Sequence, residues 1–254
     1  YSRAGSDWAS LFLGGALGLT VATQLTTLRA ADFAGVYEWI GTISRTFALL
    51  GTFFALTGLF LVARIPFVES AVGHDRLVIW HRKLGPYSLY FIGLHVLGIM
   101  ISMAGLEHIQ LARELWRLLT QWGWMWWALL GFVLMVMAGV TSYKKARAKM
   151  SYEQWWIIHV MTYIAVAASF MHQIVNGQMF INHPLNKAFW IGMYAVVAFA
   201  LVTWRFVLPV ARSLRHNLVV EKVIEEGPGV VSVIMHGRNL DRLEAEGGQF
   251  FSWR

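Results

Sequence analysis

Residues 81–103 read His-Arg-Lys-Leu-Gly-Pro-Tyr-Ser-Leu-Tyr-Phe-Ile-Gly-Leu-His-Val-Leu-Gly-Ile-Met-Ile-Ser-Met. After the two basic residues at its start, the stretch carries no charge over residues 84–103. A run of about twenty apolar residues is the length that spans a ~30 Å hydrocarbon core. Five further runs of similar length, roughly 8–28, 41–63, 122–141, 154–175 and 188–209, complete a set of six. Glycines and prolines inside them (Gly58, Pro86, Gly93) are tolerated in membrane helices. Composition agrees: 57% of the 254 residues are hydrophobic and 14% charged, against about 25% charged in a soluble domain. The mean hydropathy is +0.53. The sequence therefore predicts an all-α membrane protein, a six-helix transmembrane bundle over residues 1–216. The first run lacks the small-residue cleavage pattern that follows a signal peptide's core, so it reads as a retained span.

The formal net charge is +7. In a membrane protein this points to loops facing the cytoplasm and anionic lipid, not to nucleic acid. Arg64, Arg76, Arg82 and Lys83 lie between or at the edges of spans two and three, and Lys144, Lys145, Arg147 and Lys149 between spans four and five. Arg212 and Arg215 follow span six. The alternate linkers hold Arg29, then Arg113 and Arg117 beside Glu107 and Glu114, then Lys187. Basic short loops mark the cytoplasmic side, so both termini are expected there, and spans three and five run outward. Trp80, Trp122, Trp124, Trp126, Trp127, Trp155 and Trp156 sit at span ends, as an interfacial aromatic belt does. There is no cysteine, which excludes disulfides, iron–sulfur clusters and thiolate ligation.

The character changes over residues 217–254. Residues 218–223 and 230–235 alternate like strands around the turn Glu226-Gly227-Pro228-Gly229. Another strand-like stretch, 249–254, follows Gly247-Gly248. So short a segment cannot make a sheet with its own core, and it reads as the opening of a larger β domain.

Four histidines fall within the apolar runs: His81 and His95 in span three, His159 and His172 in span five. Such side chains are costly in a membrane and are functional candidates. Their spacings of fourteen and thirteen residues correspond to rises of about 21 and 19.5 Å. With both helices running outward, His81 and His159 lie near the cytoplasmic edge and His95 and His172 near the outer one. Two facing imidazoles at each level can ligate a haem iron, line a metal or proton path, or pack against polar neighbours. Fourteen residues return to within about 40° of one helix face, whereas thirteen leave the side chains about 140° apart. Span five is therefore expected to be distorted or tilted, or to present its histidines from different sides.

The pattern Trp80-His81-Arg82-Lys83-Leu84-Gly85 with His95, then His159 and His172, resembles the ferric reductase-like transmembrane domain. That superfamily contains the ferric reductases and the NADPH oxidases. Gly248-Gln249-Phe250 resembles the opening of the FAD-binding barrel that follows it there. The similarity covers roughly residues 40–254. It implies an oxidoreductase that passes electrons from NAD(P)H to FAD in the cytoplasm, then through two b-type haems to an external acceptor, ferric iron or oxygen. By the resemblance His81 and His159 are the axial ligands of the inner haem iron, and His95 and His172 those of the outer. The flavin signature and the nicotinamide domain are expected beyond Arg254.

Arg45, near the outer end of span two, can snorkel to the interface. It also resembles an NADPH oxidase arginine that pairs with outer-haem propionates or an anionic reduced acceptor. Arg82 and Lys83 are the corresponding candidates for the inner-haem propionates. The oxidases often carry a histidine four residues after the outer ligand of span three, and here that position is Ile99. Two other readings use the same residues: a b-type cytochrome subunit coupled to quinone or a separate redox partner, and a histidine-lined metal or ion transporter. The orientation is testable directly, because a chain without cysteine gives no labelling background. In right-side-out vesicles, an impermeant maleimide is expected to label Gln110→Cys and to spare Ala148→Cys; the reverse pattern contradicts the orientation.

Overall fold

The computed structural model describes residues 3–242. Gly248-Gln249-Phe250 and the stretch 249–254 lie outside the described residues. Among the described residues six helices are long and apolar enough to cross a membrane: Asp7–Leu25, Val36–Leu61, His74–Leu106, Met125–Ser142, Tyr152–Asn176 and Pro184–His216. They match the six expected spans, and residues 219–236 add a small antiparallel sheet. The chain divides into two compact units, Tyr1–Ala200 and Leu201–Arg254.

In the first unit the helices are α1 (Arg3–Leu25), α2 (Val36–Leu61), α3 (Pro66–Val72), α4 (His74–Leu106), α5 (Leu111–Gln121), α6 (Met125–Ser142), α7 (Lys144–Arg147), α8 (Tyr152–Asn176) and α9 (Pro184–Ala200). A 3-10 turn, Ala30–Phe33, precedes α2. Without a hydrophobic drive inside lipid, helices associate where small residues let backbones approach and polar side chains bond across. α2 and α4 pack along their length in this way, as do α6 and α8, whereas α4 and α8 have no comparable backbone approach. A Cβ on Gly51 of α2 would lie 2.7 Å from Ile92 Cγ1 and 2.9 Å from the Ile92 backbone nitrogen of α4. One on Gly98 would lie 2.9 Å from Ser44 Cβ. Gly131 of α6 is fitted just as closely against Ala165 and Ser169 of α8.

The polar bonds between α2 and α4 form a ladder with a seven-residue period. His81 Nδ1 lies 2.9 Å from the Gly58 carbonyl, and Ser88 Oγ donates to the Gly51 carbonyl at 2.8 Å. His95 Nδ1 lies 3.1 Å from the Ser44 carbonyl, and Ser102 Oγ donates to the Tyr37 carbonyl at 2.7 Å. Each step of seven up α4 is matched by a step of seven down α2, the repeat of two helices that wind around each other. The two histidines are thus alternate rungs of one ladder.

Local signals fix the element ends. Gly73 adopts φ +94, where a side chain is strained, and lets α3 turn straight into α4. Ser151 and Gln154 bond reciprocally at 3.2 Å to cap α8. The linker carrying Glu107, Arg113, Glu114 and Arg117 contains an amphipathic helix, α5, with Glu114, Leu118 and Leu119 buried. Arg117 Nε and Nη2 donate to the fully buried Glu114 carboxylate at 2.8 and 3.2 Å, and its Nη1 lies 3.1 Å from Glu107. Hydrogen bonds to Glu114, and then to Glu107, hold the Arg117 pKa above its ordinary value. Fully buried Trp190 of α9 donates to Gln173 Oε1 of α8 at 2.8 Å, and Tyr194 donates to the same oxygen at 3.2 Å.

The second unit begins with a π-helical segment, Leu201–Val207, followed by α10, Leu208–His216. Strands β1 (Val219–Gly227) and β2 (Val230–His236) pair antiparallel, from Val219 opposite His236 to Gly227 opposite Val230. Pro228 and Gly229 form the turn between them, and Gly229 sits at φ +75, the conformation that a turn with proline first and glycine second requires.

Gly51→Ala is expected to lower stability by about 1–3 kcal/mol, the cost of overpacking, because its Cβ meets backbone. Gly14→Ala, with nothing within 4 Å, serves as the control. Thermal unfolding in detergent reads both, and an unchanged melting point for Gly51→Ala would refute the close α2–α4 contact.

Candidate functional site

The four in-membrane histidines are all half-buried. A carbonyl oxygen can only accept, so the Gly58 and Ser44 carbonyls put the proton of His81 and His95 on Nδ1. Ser44 reinforces this choice: its hydroxyl donates to the His95 carbonyl at 2.8 Å, and its oxygen lies 3.2 Å from His95 Nδ1. Both rings then present Nε2 with a free lone pair. Ligating histidines have this arrangement, one nitrogen tied to a carbonyl and the other left for a metal. Gly58 has no side chain to shield its carbonyl; a Cβ there would stand 3.5 Å from the imidazole nitrogen.

α8 brings the partners. The His81 and His159 rings are 5.9 Å apart, centre to centre, with their planes at 81°. Two metal–imidazole bonds of about 2.0–2.1 Å, plus about 1.1 Å from each nitrogen to its ring centre, come to about 6.4 Å. The ring separation is about half an ångström short of that sum. His159 Nδ1 lies 3.3 Å from Ser142 Oγ at the end of α6. His172 lies within electrostatic reach of His95. Its Nδ1 is buried without a hydrogen bond, the Ser169 carbonyl being near but short of bonding geometry. α8 stays α-helical throughout, so the thirteen-residue spacing is absorbed without a change of helix type. The two imidazoles leave it on sides about 140° apart.

Among the described residues no group of three or more His, Cys, Asp or Glu side chains converges on a point.

The basic candidates differ. Arg45 Nη2 is paired with Asp32 Oδ1 at 3.2 Å and donates to Thr42 Oγ1 at 2.9 Å. It lies one residue from the Ser44 that holds His95. Arg82 and Lys83, next to His81, are exposed. Sequence reading did not single out Asp32, Ser44, Gly58, Ser142 or Trp155. The spacing of Trp155 four residues before His159, one helical turn, was a readable signal. Trp155 was read as belt, yet its ring stacks on His159 at 4.9 Å and 21°.

Residues 46–170 match the family model described as ferric reductase like transmembrane component. His81, His95 and His159 fall within the match, while Arg45 and His172 lie just outside its two ends. No curated protein and no solved structure matches the chain. Six apolar helices among the described residues make this an integral membrane protein, and residues 46–170 carry a ferric reductase-like transmembrane domain, a domain of oxidoreductases that move electrons across the bilayer.

Proposed function

We propose that the chain conducts electrons from a cytoplasmic NAD(P)H/FAD dehydrogenase domain, through two stacked b haems, to an extracytoplasmic acceptor, ferric iron or oxygen. The observation that carries this reading is the His81–His159 pair: two imidazoles 5.9 Å apart, with the proton of His81 fixed on Nδ1 by the Gly58 carbonyl. Haem, when bound, supplies the one-electron chemistry. The chain's own residues hold and orient it. His81 and His159 would hold the inner haem iron, and His95 and His172 the outer. The α2 carbonyls keep His81 and His95 from rotating. An acceptor would then be held by the protein surface beside the outer site.

The depth of the pairs fits this use. The rise of about 21 Å between His81 and His95 covers most of a ~30 Å core. Arg82 and Lys83, exposed beside His81, would neutralise inner-haem propionates. Arg45 serves the outer propionates or an anionic reduced acceptor, with part of its charge balanced by Asp32. Both termini are cytoplasmic in this reading, and residues 217–254 are the first strands of the FAD-binding barrel.

A dithionite-reduced minus oxidised spectrum of the purified protein, with haem quantified, is expected to give b-type bands and about two haems per chain. Leucine at His95 or at His172 is expected to remove one and the same haem, and leucine at His81 or His159 the other. Retention of both haems in those variants, or a colourless protein made with haem available, would falsify the assignment.

A further inference from the structure

The junction of α6, α7 and α8 stacks on His159 two side chains to which the proposed function gives no role. The Arg147 guanidinium lies over the Trp155 indole, 5.0 Å from its centre. The indole stacks on His159, and its Nε1–H donates to Ser142 Oγ at 3.1 Å. That same oxygen lies 3.3 Å from His159 Nδ1. Trp155 therefore reaches His159 twice, by its face and through the shared serine.

A serine oxygen has two lone pairs. The indole proton takes one, and the other is left for the Nδ1–H that His159 must carry if Nε2 is to bind iron. The arrangement differs from that on α4. His81 and His95 donate to amide carbonyls, which are stronger acceptors than a hydroxyl. His159 donates to a hydroxyl whose electron density the indole N–H also draws. A hydrogen bond accepted from the far nitrogen makes a ligating imidazole more basic, and a more basic ligand favours ferric over ferrous iron. A weak, shared acceptor does the opposite.

We infer that Ser142 and Trp155 are positioning residues that set the ligand strength of His159: Ser142 accepts its Nδ1 proton, and Trp155 weakens that acceptor by bonding to the same oxygen. The inner iron is thereby made easier to reduce than it would be with a carbonyl in the serine's place. This rests on the proposed haem ligation at His159.

The test is an optical redox titration of both haems in the full chain. Ser142→Ala removes the acceptor and is expected to raise the midpoint potential of one haem. Trp155→Phe keeps a stacking ring but removes the N–H, and is expected to lower the potential of that same haem. Ser142→Thr keeps the hydroxyl and should titrate like the wild type, and the other haem should not move in any variant. The haem that moves should be the one lost in His159→Leu. Shifts of the same sign, shifts on different haems, or no shift would overturn the inference. If Ser142→Ala does not retain haem, the fall in Trp155→Phe and the unchanged Ser142→Thr decide it. A wild-type protein without haem would instead overturn the proposed function, whereas two haems with unmoved potentials would sink this inference alone.

Discussion

Inside hydrocarbon there is no water to satisfy a polar side chain, so every imidazole and hydroxyl on a membrane helix needs a partner from protein. On α4 that requirement falls on His81, Ser88, His95 and Ser102, and α2 meets it with four backbone carbonyls. Interhelical bonds of this kind are individually modest, on the order of 0.6 kcal/mol each. Their larger effect is on geometry. They hold α4 against α2, fix which nitrogen of His81 and His95 carries the proton, and turn the other nitrogen away from α2. The placement of α8 then decides what those free nitrogens face, and the His159 ring lies within about half an ångström of the distance one metal would span.

Much of this could be read from the chain. The six spans follow from apolar runs, because a bilayer tests length and hydropathy and little else. The histidine pairs were visible because four costly side chains occupied two of six spans at matched depths. The hairpin around Pro228-Gly229 followed from turn chemistry that few other residues supply. Ser88 and Ser102 stand seven residues from the histidines and were equally visible, but their meaning lies in the facing helix, whose carbonyls have no side-chain signature. Arg45 was identified from its position, whereas its partner Asp32 sits in a short 3-10 turn that no periodicity announces.

Two residues do more than their place in the sequence shows. Glu107, Glu114 and Arg117 counted there only as linker charges, yet Glu114 is fully buried, with Arg117 bonded to both its oxygens. Trp155 was grouped with tryptophans at span ends, such as Trp124, Trp126 and Trp127, which are indeed exposed. In each case a residue typical of a membrane edge was recruited by a neighbour close in sequence. Composition argues for the typical case, and only spacing of three or four residues on a helix argues for the exception.

The ladder has one further consequence. Its rungs repeat, so hydrogen bonding alone is nearly degenerate under a slide of α4 along α2 by one period, about 10.5 Å. Histidines would then take the carbonyls now held by serines, and the histidine levels would move by about a third of the hydrocarbon core. The notches break that degeneracy. Ile92 fits only where Gly51 lacks a side chain, and Ser44 only where Gly98 does. The depth at which the imidazole pairs sit is thus chosen less by the groups that bond than by the places where a methyl group is missing.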